Sequence, residues 1–179
     1  MQLYSISDEY IQYLIQFFPR IYSNKEEQRT HTRKYLGTVI EVGGVKYYIP
    51  LSSPKDKHDY IEIDGIKAIR KDSLIVIRII SGPASAPELK ATLQIGTMIP
   101  VPDDALELYD INAEPDSKYK DLVNEEMIFI RKNEARIIKA AEKLYKMRYA
   151  ANPVPIVTHC LDFKAIEIKC REWTDKKPN

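Results

Sequence analysis

Tyr35-Leu36-Gly37-Thr38-Val39-Ile40-Glu41-Val42, then Gly43-Gly44, then Val45-Lys46-Tyr47-Tyr48-Ile49-Pro50 is the stretch on which the fold turns. Two runs rich in β-branched and aromatic residues flank a two-residue glycine link, and glycine takes the positive φ that a tight hairpin turn requires. The stretch predicts a pair of antiparallel strands. A second hairpin follows in Ile61-Glu62-Ile63, Asp64-Gly65 and Ile66-Lys67-Ala68-Ile69-Arg70, and Ser73 to Ser81 (SLIVIRIIS) reads as a largely buried strand. Gly82 to Pro87 breaks the pattern, and Leu93 to Pro100 reads as a further extended segment.

On either side of this β unit the period changes. Ser7, followed by Asp8 and Glu9, has the form of a helix cap with acids in the first turn, and Tyr10, Leu14 and Phe17/Phe18 recur at helical spacing up to Pro19. Residues 103–116 read mostly as loop. Ser117 to about Ala151 reads as a helical stretch interrupted at Asn133, and a last amphipathic helix runs from an Asp162 cap through Phe163, Ile166, Cys170 and Trp173. Helices before and after an antiparallel unit predict an α+β fold rather than a βαβ one.

The 179 residues, 44% hydrophobic and 30% charged, suffice for one core, so residues 1–179 are expected to form a single domain. No apolar run approaches the roughly 18–20 residues of a membrane span, and a cytoplasmic protein without membrane partners is expected. Cys160 and Cys170 stand ten residues apart, and His31, His58 and His159 are scattered; neither pattern fits a disulfide framework or a metal site. With no Gly-rich phosphate loop either, no cofactor and no metal are expected. The net charge is +1, but it is segregated: residues 20–71 carry +4, 72–128 carry −7 and 129–179 carry +6. Two basic stretches would suit a polyanion if the fold brought them to one face.

The chemistry concentrates where the first hairpin ends. Pro50-Leu51-Ser52-Ser53-Pro54-Lys55 delivers two hydroxyls and an ammonium within four residues, on a chain restricted by prolines on both sides. Such a segment is also a common Ser/Pro turn. Acyl transfer and glycoside hydrolysis lack their machinery here, with no G-x-S-x-G elbow and no paired carboxylates. Hydroxyls and a lysine can hold a phosphodiester and neutralise its transition state, and RNA brings its own nucleophile in the 2′-hydroxyl, which DNA lacks. Arg29, His31, Arg33 and Lys34, with Tyr35 as a stacking platform, form a candidate RNA clamp upstream, and Lys57 and His58 extend the basic turn. Helical spacing alone places Tyr10 in the core.

Taken in order, Tyr4-x-Ile6-Ser7-x-x-Tyr10-Ile11-x-Tyr13-Leu14, Tyr35-Leu36-Gly37, Tyr48-Ile49-Pro50-Leu51-Ser52-Ser53-Pro54-Lys55-x-Lys57-His58, Met98-Ile99-Pro100-Val101, Phe129-Ile130-Arg131-x-Asn133 and Leu161-Asp162-Phe163 with Glu167 and Cys170 resemble the ToxN/AbiQ-like endoribonuclease toxins of type III toxin–antitoxin systems. The resemblance implies a compact, barrel-like antiparallel core of the MazF/Kid kind. It implies metal-independent cutting of A-rich RNA, cellular and phage, to 2′,3′-cyclic phosphate and 5′-hydroxyl ends. It further implies an RNA antitoxin, repeat-derived and pseudoknotted, held in a closed toxin–RNA assembly, with a role in phage defence and growth arrest. By the matching motif Ser53 is the central hydroxyl, Lys55 the phosphate cation, and Ser52 and Tyr10 supporting residues. Serine is a poor base at neutral pH, so Ser53 positions rather than deprotonates, and Lys55, Tyr10 and His58 all stay open as the base. Basic stretches and aromatics alone would also serve a non-catalytic RNA-binding module.

Overall fold

The computed structural model describes residues 1–24 and 31–175. Its first strand, β1 (Gln2–Ile6), leads into α1 (Asp8–Ile15), where the Ser7 side chain accepts the Tyr10 backbone N–H at 3.3 Å. The hairpin of β2 (Tyr35–Val42) and β3 (Val45–Ser52) turns at Gly43 and Gly44, both at positive φ, as the sequence predicts. The second hairpin, β4 (Tyr60–Ile63) and β5 (Ile66–Ile69), forms its own two-stranded sheet. Then come β6 (Ile77–Ser81), β7 (Glu88–Leu93), β8 (Ile99–Pro100) and β9 (Leu106–Leu108). Helices α3 (Ser117–Lys132) and α4 (Glu134–Arg148) meet at Asn133, and α5 (Phe163–Asp175) ends the described chain; a single turn, α2 (Asp56–Asp59), lies between β3 and β4.

The strand order β6-β7-β3-β2-β1-β9, with β8 also on β3, is antiparallel at every pairing. The α+β class is therefore as expected, but the barrel-like closure is not made: among the described residues the end strands β6 and β9 do not pair, and the sheet is open. Strand β3 is the pivot. Most of its length pairs with β2, whereas its last two residues, Leu51 and Ser52, pair with Leu93 and Thr92 of β7. Between Leu36 and Ile40 the β2–β3 register shifts, and there Gly37 lies so close under the Tyr48 ring that a Cβ would land inside it.

Two extended segments differ from expectation. Residues 73–76 are not strand, because Ser73 N–H donates to the Val76 carbonyl (3.0 Å) and the Asp72 carboxylate takes the Arg78 N–H (2.7 Å), which folds the chain before β6 starts. The strand expected at 93–100 lies earlier, over Glu88–Leu93, and a 3-10 turn at Ile95–Thr97 separates it from β8. Helix α3 packs across β6 and β7, α4 on β2, and α5 on β8 and α1, enclosing one continuous apolar core. Helix α3 starts at Ser117 as expected, and its cap is Asp116, whose carboxylate accepts the N–H groups of Lys118 and Tyr119.

Candidate active site

The backbone that carries Ser52 and Ser53 is tied down on three sides. The buried Arg33 donates Nη1 to the Leu51 carbonyl (3.0 Å), Thr92 Oγ1 donates to the Ser52 carbonyl (3.3 Å), and Gln94 N–H donates to the Pro50 carbonyl (3.1 Å). Ser52 is buried, whereas Ser53 is exposed and its hydroxyl has no hydrogen-bond partner among the described residues. A serine hydroxyl held on a fixed backbone with its bonding capacity free is available to a ligand.

Two clefts meet at these serines. The first, of about 270 Å³, is lined by His31, Thr32, Lys34, Ser52, Ser53, Lys90, Tyr119 and Glu126, with Leu51, Ala91 and Leu122. His31 stacks flat on Tyr119, with ring centres 3.8 Å apart, and its Nε2 lies 3.4 Å from the Asp116 carboxylate. Lys34 is half-buried, with Nζ near Ser5 Oγ (3.3 Å) and 4.0 Å from the centre of the Tyr109 ring; burial pulls its ammonium below the usual lysine range. Lys90 is paired with Glu88 and Glu125. Glu126 is 7% exposed on the apolar face of α3, and burial, then its neighbour Glu125, pushes its carboxyl up to about 8.

The second cleft, of about 380 Å³, shares Ser52 and Ser53 and adds Lys55, His58, Asp59 and Arg78 with Tyr22, Ser73, Ile75, Val76 and Gln94. Its frame is a buried ion pair. Asp59 Oδ1 accepts from Arg78 Nη2 (3.0 Å) while Asp59 Oδ2 accepts the Lys55 backbone N–H (2.8 Å). The same guanidinium donates to the His58 carbonyl (3.1 Å) and the Lys71 carbonyl (2.7 Å), which locks the loop that presents Lys55. Nε of Arg78 is buried without a partner among the described residues. The Lys55 side chain is exposed and makes no ion pair among them.

The structure thus brings Ser52, Ser53, Lys55, His31, Lys34 and His58 together, and places others elsewhere. Tyr10 is fully buried, donates its hydroxyl to the Pro100 carbonyl (2.8 Å), and packs edge-on against Trp173; it reaches neither cleft. Arg33 is 1% exposed, with its guanidinium 4.3 Å from the Tyr22 ring centre, so it props the site from beneath rather than offering a free charge. Tyr35 is buried in the core and gives no stacking platform, a part that Tyr119 can take. Lys57 lines neither cleft, and Arg29 lies outside the described residues. Among the described residues, the basic stretch 129–179 contributes to neither cleft. Sequence reasoning passed over Arg78, Asp59, Lys90, Tyr119 and Glu126. Two of these had a signal: Arg78 interrupts the apolar run Ile77–Ile80, and Glu126 sits among Val123, Met127 and Ile130 on a helical stripe. Among the described residues no group of three or more His, Cys, Asp or Glu side chains could hold a metal ion, and no helix is long and apolar enough to cross a membrane.

Fold and site together define an α+β protein with an open antiparallel sheet, at one corner of which free hydroxyls and several cations line a path suited to a phosphate chain. Residues 2–171 match the family model described as Toxin ToxN, type III toxin-antitoxin system. The chain belongs to this ToxN toxin family. It is similar to "Endoribonuclease ToxN" of Bacillus thuringiensis subsp. kurstaki, at 28% identity over 98% of this chain and 85% of that protein. It is also similar to "Endoribonuclease AbiQ" of Lactococcus lactis subsp. lactis, at 28% identity over 98% of this chain and 91% of that protein. A solved structure described under selective toxin inhibition by a non-coding RNA pseudoknot in bacterial type III toxin–antitoxin systems has a TM-score of 0.80 at 27% identity, over 98% of both chains. A structure of AbiQ, described as a lactococcal anti-phage endoribonuclease, shares the fold, with a TM-score of 0.79 at 24% identity over 98% of both chains.

Proposed function

We propose that this chain is an endoribonuclease toxin that cuts RNA at a phosphodiester seated over Ser53. The observation that carries the reading is the free Ser53 hydroxyl shared by two clefts, with Lys34 and Lys90 lining one and Lys55 and Arg78 the other. A strand passing from one cleft to the other has its scissile phosphate at the hydroxyl and its neighbouring phosphates within reach of cations. Ser53 and Lys55 hold the phosphate, Ser52 supports the turn, and His31 on Tyr119 offers a flat face for a base. The attacking group is the RNA's own 2′-hydroxyl, so the products carry 2′,3′-cyclic phosphate and 5′-hydroxyl ends, and the reaction requires no metal.

The relatives named endoribonuclease support the activity. By the same kinship the chain prefers A-rich RNA and works as one domain in the bacterial cytoplasm against cellular and phage RNA. Its core is kin to the MazF/Kid toxins. Its partner is a repeat-derived, pseudoknotted RNA that it processes and that inhibits it in a closed toxin–RNA assembly, and its role is growth arrest in defence against phage.

The test is Ser53→Ala with the wild type beside it. Expression of the variant should leave growth unharmed, and purified variant should bind RNA while generating no new 5′-hydroxyl ends; EDTA should leave wild-type cutting unchanged. Undiminished cleavage by the variant refutes the site, and wild-type protein that binds RNA without cutting it refutes the enzyme.

A further inference from the structure

Glu126 is the polar side chain of the first cleft that its surroundings explain least. It belongs to the buried stripe of α3, with Val123, Met127 and Ile130, and among the described residues it makes no hydrogen bond or ion pair. A carboxyl placed in this way is costly for stability, and strongly perturbed acids in clefts concentrate at functional sites. The charged and titratable groups around it are His31 and Lys34 from the segment before β2, Lys90 from β7, Tyr109 after β9, and Tyr119 and Glu125 on its own helix. The cations among them are already engaged: Lys90 with Glu88 and Glu125, and Lys34 with Ser5 and the Tyr109 ring. Nothing there holds Glu126 as a carboxylate, and burial keeps it protonated at neutral pH.

A neutral carboxyl can lie beside a phosphodiester without repulsion and has a proton to give. Glu126 and Ser53 line the same cleft, whose volume of about 270 Å³ is at the small end of ligand sites. In transesterification the departing 5′ oxygen is the strong base, and its protonation is where an acid contributes most. Arginine does not give up its proton, which removes Arg78 from that role. We propose that Glu126 is the proton donor to the leaving 5′ oxygen when the phosphodiester at Ser53 is cut, an assignment that rests on the endoribonuclease reading. The 2′ oxygen bonds to phosphorus as its proton passes to water. The bond from phosphorus to the 5′ oxygen then breaks with its electron pair on that oxygen, which takes the Glu126 proton, and solvent reprotonates the carboxylate.

The experiment uses an RNA oligonucleotide carrying a cut site mapped with the wild type, and the same oligonucleotide with sulfur in place of the bridging 5′ oxygen. Sulfur leaves as a thiolate and needs no proton. Glu126→Gln should cut the native oligonucleotide about 100-fold or more slower than wild type and the sulfur-substituted one within a few-fold of it. The alkaline fall of wild-type kcat, near or above pH 8, should be missing in Glu126→Gln, and Glu126→Asp should recover part of the rate on native RNA. Affinity for a non-cleavable 2′-deoxy analogue should be unchanged. Equal slowing on both substrates, as a merely structural role predicts, overturns the proposal, and so does undiminished cutting of native RNA. Ser53→Ala, slow on both, is the contrast. Wild-type protein that cuts neither substrate overturns the endoribonuclease reading itself.

Discussion

Asp59 is the side chain on which the second cleft depends, and its replacement by asparagine gives the sharpest test of how the site is held. The carboxylate is 4% exposed; one oxygen accepts from Arg78 Nη2 at 3.0 Å and the other from the Lys55 N–H at 2.8 Å. Asparagine has the same shape but only one acceptor, so its amide must point two hydrogens either at the guanidinium or at the Lys55 N–H. It also leaves Arg78, itself 6% exposed, as a buried charge without a counter-ion. Breaking a buried pair on one side costs about 3–5 kcal/mol. With a urea slope of about 2 kcal/mol per molar, the unfolding midpoint should fall by about 1.5–2.5 M. Trp173, the only tryptophan, is partly buried against Tyr10 at the edge of the core and reports the transition by fluorescence. Removing both partners, as in Asp59→Leu with Arg78→Met, should restore most of the stability, since a buried pair is often replaced by apolar residues at little cost. It should not restore cleavage, because the Lys55 N–H has lost its anchor. A midpoint unchanged in Asp59→Asn, or wild-type cleavage by the double variant, refutes the reasoning.

Two further outcomes are specific to this structure. Tyr10→Phe should cut RNA at the wild-type rate while losing about 1–2 kcal/mol of stability, because the Pro100 carbonyl loses its donor; a large fall in kcat would return Tyr10 to the active site. Glu126→Gln should stabilise the fold in a pH-dependent way. Below pH 4.5 both folded and unfolded chains carry the proton and the wild type bears no penalty. As pH rises from there the unfolded chain releases its proton while the folded chain keeps it up to about 8. At about 1.4 kcal/mol per pH unit the wild type therefore loses up to about 5 kcal/mol that the variant does not. Urea midpoints for the two proteins at pH 5 and pH 8.5 should diverge at the higher pH, and a constant difference would sink the argument.

The parts of the fold legible in the sequence are those fixed by local chemistry. Gly43-Gly44 and Asp64-Gly65 set their hairpins because both central positions take positive φ, and the boundary at Asn133 separates α3 from α4 where expected. What differs turns on local competition for backbone groups. Ser73–Val76 has the composition of a strand, yet the Ser73 N–H bonds the Val76 carbonyl in a turn and the Asp72 carboxylate takes the Arg78 N–H. In the candidate site, one short segment carries Ser52, Ser53 and Lys55 to the clefts. Tyr10, Arg33 and Tyr35 lie buried instead, because such side chains have a large apolar body, and a buried hydroxyl or guanidinium can be satisfied by backbone carbonyls that no sequence pattern announces.

Charge along the chain misleads for a related reason. Residues 72–128 carry −7, yet they supply Arg78 and Lys90 to the clefts, along with Tyr119, Glu126 and the Asp116 that faces His31. Part of the acidity is paired where it stands, Asp72 with Arg136, Asp103 with Lys46 and Glu125 with Lys90. The stretch 129–179 carries +6, and its described residues reach neither cleft. A regional sum therefore says little about where a polyanion binds, because what a polyanion meets is the local arrangement of charges within a Debye length. The better signal is a charge that interrupts an apolar stripe. Burial without a reason is too costly to persist: Glu167, which breaks the stripe of α5, is satisfied by the Tyr47 and Tyr145 hydroxyls, whereas Arg78 and Glu126 stand in the two clefts that meet at Ser53.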